Sequence, residues 1–294
     1  MTKLVNLGSM CIDNVYRVPN ISASGETVAS TDHEIFPGGK GLNQSLAAAK
    51  AGAAVVHVGC VGADGAWLVE TLASAGVEVS GVREVEGASG HAVIQVDAQG
   101  RNAIVIAGGA NRTLGEADIQ RAVDLLEPGD WLLLQNEIND LEKVLARASG
   151  AGAQVAFNIA PVDGRESNYD LAQVAMLIVN QVEAAALLRR TDPDAALDSL
   201  CARYPHLQVV LTLGADGLRY GWGDQRLELG AFEVTAVDET AAGDAFVGYL
   251  MWAMLAGKPI HEALRTASAA GALAVTRRGA ASSVPDQAEV LALL

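Results

Sequence analysis

Residues 41 to 62 read GLNQSLAAAKAGAAVVHVGCVG, and the fold turns on how this stretch is divided. The first half consists of helix formers and stops at Gly52, a residue suited to the left-handed turn that closes a helix. The second half is an unbroken apolar run rich in Val, the pattern of a strand buried on both faces. Upstream, residues 3 to 8 (KLVNLG) form another short apolar run ending in glycine. A strand, a helix and a strand in that order predict parallel pairing, because parallel neighbours need a crossover of about helical length. The alternation continues with a helix from about Asp64 to Ala75, a strand in DWLLLQNE, a helix around 140 to 149, and strands in AQVAFNIAP, AMLIVN and LQVVLTLG. After Gly230 the pattern predicts helices at about 241 to 256 and 260 to 276 and a short one ending at Leu294. The expected class is α/β, a doubly wound, largely parallel sheet flanked by helices.

Two segments break the rhythm. Residues 14 to 36 and 89 to 109 read as extended β segments, the second a hairpin turning at DAQG, and neither is balanced by a helix of its own. They predict a small β-sheet lid inserted in a single domain spanning 1–294.

Bulk composition narrows the function. A formal net charge of −15 disfavours polyanionic partners, so nucleic acid and anionic membranes are not expected, although a local nest of backbone N–H groups can still hold a phosphate. Half of the residues are apolar and only 4% aromatic, while the 31 glycines suit close helix-on-sheet packing. Cys11, Cys60 and Cys201 are too scattered for a disulfide framework or zinc ribbon, and the five histidines lack metal-ligand spacing. No leader and no membrane-spanning run is read, so the expected location is cytoplasmic and the sequons at Asn20, Asn43 and Asn111 carry no meaning for glycosylation.

Two stretches could carry chemistry. FPGGKGLNQ (36–44) sets three glycines around Lys40 directly before a helix, so the chain can approach a ligand closely with a cation and the Asn43 amide at hand. It matches neither a Walker A loop nor a dinucleotide fingerprint, and a plain glycine-rich turn explains it about as well. AVDETAAGDAF (236–246) places Ala241, Ala242 and Gly243 before Asp244 at a helix start, where free N–H groups attract an anion. Asp244 alone could be a helix-dipole residue contributing about 0.3–1 kcal/mol, but that leaves Gly243 without a reason. A helix N-terminus makes a carboxylate a weaker base. Phosphoryl transfer tolerates this, since its loose transition state asks the base mainly to orient the hydroxyl and to accept the proton late.

Together with NLGSMCID, GETV and AVTRRGAASSVP, these stretches resemble the PfkB, or ribokinase, family of carbohydrate kinases over nearly the whole chain. The resemblance implies an ATP-dependent sugar kinase that uses Mg²⁺ and K⁺. It further implies that Asp244 is the catalytic base, with the backbone of Ala241, Ala242 and Gly243 as its anion hole. By the same resemblance Asp13, Gly39, Lys40, Asn43 and Glu137 bind the sugar, with Cys11 standing where the family usually has an Asn that contacts it. Asn180 and Glu183 match an element that helps to place Mg²⁺ and the nucleotide phosphates, although both types also occur there simply as helix caps. Thr212, Gly214 and Gly217 border the ATP site, and Asp238, Thr240, Ala274, Arg277, Gly279 and Ser283 surround potassium. Glu239 replaces a usual Thr beside the cation loop, and a thiol at 11 is a poor partner for a hydroxyl. The leading expectation is conversion of D-ribose to ribose 5-phosphate by a homodimer paired through its lids. The alternatives are another kinase of the family, acting on fructose, a keto-deoxy sugar acid or a nucleoside, and a non-catalytic sugar-binding regulator.

Overall fold

The apolar runs become neighbouring strands of one sheet. In chain order, the computed structural model, which describes residues 2–188 and 192–294, contains β1 (Leu4–Leu7), β2 (Cys11–Arg17), β3 (Asp32–Gly38), α1 (Lys40–Lys50), β4 (Val55–Val61), α2 (Ala66–Ser74) and β5 (Glu78–Glu84). Next come β6 (Gly90–Val96), β7 (Asn102–Ala107), α3 (Glu116–Asp124), β8 (Trp131–Gln135), α4 (Leu141–Gly150), β9 (Gln154–Asn158), β10 (Met176–Asn180), α5 (Gln181–Leu188) and α6 (Pro193–Arg203). The chain closes with β11 (Gln208–Thr212), β12 (Leu218–Trp222), β13 (Gln225–Leu229), α7 (Ala242–Leu255), α8 (Ile260–Ala274) and α9 (Gln287–Leu293).

The large sheet has nine strands in the order β13-β12-β11-β10-β9-β8-β1-β4-β5. All are parallel except β12 and β13, which continue one edge as antiparallel strands. Because successive side chains point to opposite faces, each buried strand feeds two cores. Leu4, Leu133, Ile178 and Val210 join α1, α2, α7, α8 and α9 on one face. Val5, Leu134, Leu177 and Val209 join α3, α4, α5 and α6 on the other. Among the described residues no helix is long and apolar enough to cross a membrane.

A separate four-stranded sheet, in the order β3-β2-β6-β7, is built from the two segments that broke the βα rhythm. Its strands extend beyond the predicted limits: β2 starts at Cys11 and β3 runs on to Gly38, so that Cys11 pairs with Gly38 and Gly90. Asp13, just outside the segment 14 to 36 read as lid, therefore lies on the small sheet, third in β2 and paired with Phe36 and Ala92. The short turn Gly8 to Met10 carries the chain from one sheet to the other.

Candidate active site

Two helix N-termini meet at the end of the large sheet. At α1, Gly39 holds φ +88°, which L side chains rarely adopt. A Cβ on Gly38 would stand 2.0 Å from an Asp13 carboxylate oxygen, and one on Gly41 2.4 Å from the Ser9 nitrogen. The glycines thus let the strand-to-helix turn close against β1 and β2. At α7, Ala241 occupies the left-handed region at φ 59°, a strained conformation for a residue with a side chain, of the kind found at functional sites. The N–H groups of Ala241, Gly243 and Asp244 have no partner among the described residues. A Cβ on Gly243 would meet nothing within 4 Å, so the space above this helix start is open to an approaching anion.

Asp244, only 6% exposed, is clamped by the first turn of α1. Asn43 Nδ2 donates to its Oδ2 at 3.0 Å and Gln44 Nε2 to its Oδ1 at 2.8 Å. The other end of the Asn43 amide, Oδ1, is buried without a partner among the described residues.

Facing this clamp is a cluster of acids around one cation. Glu137 Oε2 accepts from Ser9 Oγ at 2.5 Å and from the Lys40 backbone N–H at 2.9 Å. Burial, then Glu137 and then Asp244 push the Asp13 carboxyl up to about 7. Burial pulls the Lys40 ammonium down, but Asp244, Glu137 and Glu183 outweigh it and hold the group above its ordinary value. Burial, with Glu137 and Asp13 nearby, raises the Cys11 thiol well above its usual range, so it is neutral, and Asn111 Nδ2 lies 3.3 Å from its sulfur.

Asn180 and Glu183 are bonded to each other. Glu183 accepts from the Asn180 backbone N–H at 2.8 Å and from its amide at 2.9 Å, and Asn180 Oδ1 accepts from Glu183 N–H at 2.9 Å. This is a reciprocal cap on α5, the structural use of these residue types. Burial raises the Glu183 carboxyl, against the opposing pull of the Asn180 N–H and of Lys40. Thr212 ends β11, and Gly214 and Gly217, both at positive φ, form the tight turn into antiparallel β12.

Asp238 ties two loops together. It accepts from Thr240 N–H at 2.9 Å, Thr240 Oγ1 at 2.6 Å and Gly279 N–H at 2.9 Å; these donors outweigh burial and hold its carboxyl below the usual range. The Ala274 carbonyl accepts from Arg277 N–H at 3.1 Å, while the Arg277 guanidinium turns to Glu289 at 2.5 Å. Ser283 Oγ bonds the Ala280 carbonyl at 2.8 Å. Between these loops and the inner face of the small sheet opens a cleft of about 880 Å³, lined by Asp13, Val15, Phe36, Asp238, Glu239 and Gly279. A smaller cavity of about 210 Å³ reaches Cys11, Glu137, Asn111 and Arg112.

The model of the pfkB family of carbohydrate kinases matches residues 1–287. The chain belongs to the PfkB family. It is 33% identical to a ribokinase of Haemophilus influenzae over 99% of this chain and 98% of that one, and 31% identical to a deoxyribokinase of Salmonella typhi over 95% and 94%. The structure of Arabidopsis thaliana ribokinase complexed with ribose and ATP superposes with a TM-score of 0.87 at 30% identity, covering 100% of this chain and 99% of that one. The protein is accordingly a ribokinase-like carbohydrate kinase, with the mostly parallel sheet and separate small sheet of its PfkB relatives.

The structure also brings in residues of this PfkB chain that sequence reasoning passed over. Asn6, Ser9, Gln44, Gln135 and Asn158 all lie buried behind or beside Asp244 and Glu137. Three were visible as polar residues in or closing apolar strands, Asn6 inside LVNL, Gln135 at the end of WLLLQ and Asn158 at the end of QVAFN.

Proposed function

We propose that this kinase transfers the γ-phosphate of ATP to a hydroxyl of a small sugar, with D-ribose, giving ribose 5-phosphate, as the first substrate to test. The observation that carries the reading is the clamp: Asp244 stands at the open N-terminus of α7, bonded at 3.0 Å to the Asn43 amide of the glycine-rich loop. In the proposed mechanism Asp13, Gly39, Lys40, Asn43 and Glu137 hold the sugar, and Cys11 forms part of the pocket wall. The small sheet acts as a lid that excludes water. Asp244 takes the hydroxyl proton as the oxygen attacks, while the N–H groups of Ala241, Gly243 and Asp244 receive the charge on the moving phosphoryl group; the Ala242 N–H, expected in the same anion hole, is taken up by the Glu239 carbonyl at 3.3 Å. Lys40, kept charged by three carboxylates, adds a cation beside the same path.

The described residues contain no group of three or more His, Cys, Asp or Glu arranged to hold a metal. Mg²⁺ would keep much of its water and be held chiefly by phosphate oxygens, with Glu183 and Asn180 acting at one remove. When bound, it neutralises phosphate charge during transfer. Thr212, Gly214 and Gly217 would border the nucleotide. Asp238 stays ionised and braces the loops holding Thr240 and Gly279, while Arg277 is directed away; these features fit K⁺ at the set completed by Ala274 and Ser283. The proposed enzyme is a cytoplasmic homodimer joined through its small sheets, whose outer face exposes Ile35, Val93 and Val105.

Cys11 favours a second reading. A neutral thiol offers a hydroxyl little, so a sugar lacking one at that wall, such as 2-deoxy-D-ribose, competes with ribose. A coupled ADP-release assay tests both across D-ribose, 2-deoxy-D-ribose, fructose, sugar acids and nucleosides, each with and without potassium. Ribose turnover above the rest supports the first reading, and a deoxyribose preference the second. Failure of every acceptor would overturn the kinase assignment in favour of a sugar-binding regulator.

A further inference from the structure

We propose that Gln44 is a positioning residue for Asp244, locked in one amide orientation by a buried chain of amides anchored on two backbone carbonyls. The inference rests on Asp244 being the base. Gln44 is fully buried; its Nε2 donates to Asp244 Oδ1 at 2.8 Å and to Asn158 Oδ1 at 2.9 Å. Its Oε1 accepts from Gln135 Nε2 at 2.8 Å.

An amide can be turned end for end, so the direction of such a chain must be set somewhere. Here it is set twice, by groups that can only accept. Asn158 Nδ2 donates to the Ile178 carbonyl at 3.1 Å, which aims Asn158 Oδ1 at Gln44. Asn6 Nδ2 donates to the Gly41 carbonyl at 2.8 Å, which aims Asn6 Oδ1 at Gln135 Nε2 at 3.0 Å, and that same nitrogen reaches Gln44. A turned Gln44 would set its oxygen against two acceptors, Asp244 Oδ1 and Asn158 Oδ1, and its nitrogen against a donor. Gln44 can therefore meet Asp244 only as a donor.

Stability does not explain the chain. Gln135 Oε1 is buried without a partner among the described residues, and a partly satisfied buried network is less stable than apolar side chains of the same size. What the chain does accomplish is geometric. With Gln44 on one oxygen and Asn43 on the other, the Asp244 carboxylate cannot rotate, and the base is aimed before the sugar arrives.

The test compares full-length wild type, Gln44→Met and Ser45→Ala by steady-state ADP release and thermal melting, with Asp244→Asn alongside. Ser45 belongs to the same buried network beyond the Asn6 anchor, where it accepts from Asn6 Nδ2 at 2.8 Å and bonds His57 Nδ1 at 2.9 Å, so it serves as the structural control. Gln44→Met is expected to lower kcat about tenfold or more with the sugar KM within about twofold. Ser45→Ala is expected to lower Tm while kcat stays within about twofold. Should Gln44→Met not fold, Gln135→Met, which removes the donor that orients Gln44, is expected to lower kcat at least about threefold with KM unchanged. Unchanged kcat in the Gln44 variant, or in the Gln135 variant if that one is used, overturns the proposal, as does an equal loss in Ser45→Ala. An inactive wild type or an active Asp244→Asn would instead strike the kinase reading or the base itself, and the proposal would fall with it.

Discussion

Asn43 and Asp244, 201 residues apart in the chain, share a buried hydrogen bond of 3.0 Å that joins the glycine-rich loop at the start of α1 to the first turn of α7, which bears the proposed base. The two motifs are thus one piece of chemistry. Asp244→Asn keeps the size and removes the proton acceptor, and its amide nitrogen meets one of the two donors that clamp Asp244, so turnover should fall by about a hundredfold to ten-thousandfold while the sugar KM moves little. Steady-state kinetics with the best acceptor of the panel would check this, and a variant retaining most of its turnover would refute the assignment.

Gly243 separates function from fold. A Cβ there meets nothing within 4 Å, and a helical position generally gains about 0.5–1 kcal/mol on going from Gly to Ala. Gly243→Val should therefore melt no lower than wild type by more than a few degrees, yet lose most of its turnover, because the side chain fills the space over the free N–H groups. Equal losses of Tm and kcat would show that the glycine is structural.

Asp13 should leave a signature in stability against pH. Its folded value is raised, to about 7 from an ordinary value of 3.8, so between these limits the unfolded chain has released a proton that the folded chain keeps. Stability from this group is then greatest at low pH and falls as pH rises through the window, most of the loss being complete above about 7. In the ligand-free protein the Tm advantage of Asp13→Asn over wild type should grow from pH 4 to 7 and level off beyond, while sugar binding is lost. His57 has the opposite slope: burial lowers it from 6.5 to about 4, so its contribution is lost as pH falls. The difference between the two proteins cancels that background, and a difference that does not change with pH would refute the Asp13 account.

In the proposed pocket, Cys11 is the residue on which the choice of acceptor turns. The Asn111 amide is already spent on the Met10 carbonyl at 2.9 Å and on the Cys11 sulfur at 3.3 Å, so this wall has little to offer a hydroxyl. Cys11→Asn should raise kcat/KM for D-ribose relative to 2-deoxy-D-ribose by about five- to tenfold, the value of one neutral hydrogen bond of about 1 kcal/mol. An unchanged ratio would mean that the sugar does not lean on residue 11.

Much of this was legible in the sequence because it rests on local rules. Apolar runs alternating with helix formers gave the parallel sheet, and the glycines around Lys40 and before Asp244 marked the two helix starts. What escaped depended on partners far away in the chain. Asp13 fell outside the expected lid because nothing local shows that the chain changes sheets at Gly8; only the pairing with Phe36 and Ala92 does. Gln44, Gln135 and Asn6 each read as an ordinary polar residue, and they acquire meaning only when three separate elements bring their amides into one chain. Asn180 and Glu183 show the reverse, since their reciprocal cap was readable locally and the structure contains it.

Every passage of the chain between the two sheets carries glycine: Gly8, the pair Gly38 and Gly39, Gly87 with Gly90, and the pair Gly108 and Gly109. The helices bearing Lys40, Asn43 and Asp244, by contrast, press together so closely that a Cβ on Gly248 would stand 2.4 Å from that of Ala47. Cys11 and Asp13 belong to the first body, the clamp on the base to the second. On the roles proposed above, a substitution in β2 or β6 would alter which sugar is accepted without re-aiming Asp244, so that across descendants of this chain the choice of substrate would be free to drift while the transfer chemistry is inherited whole.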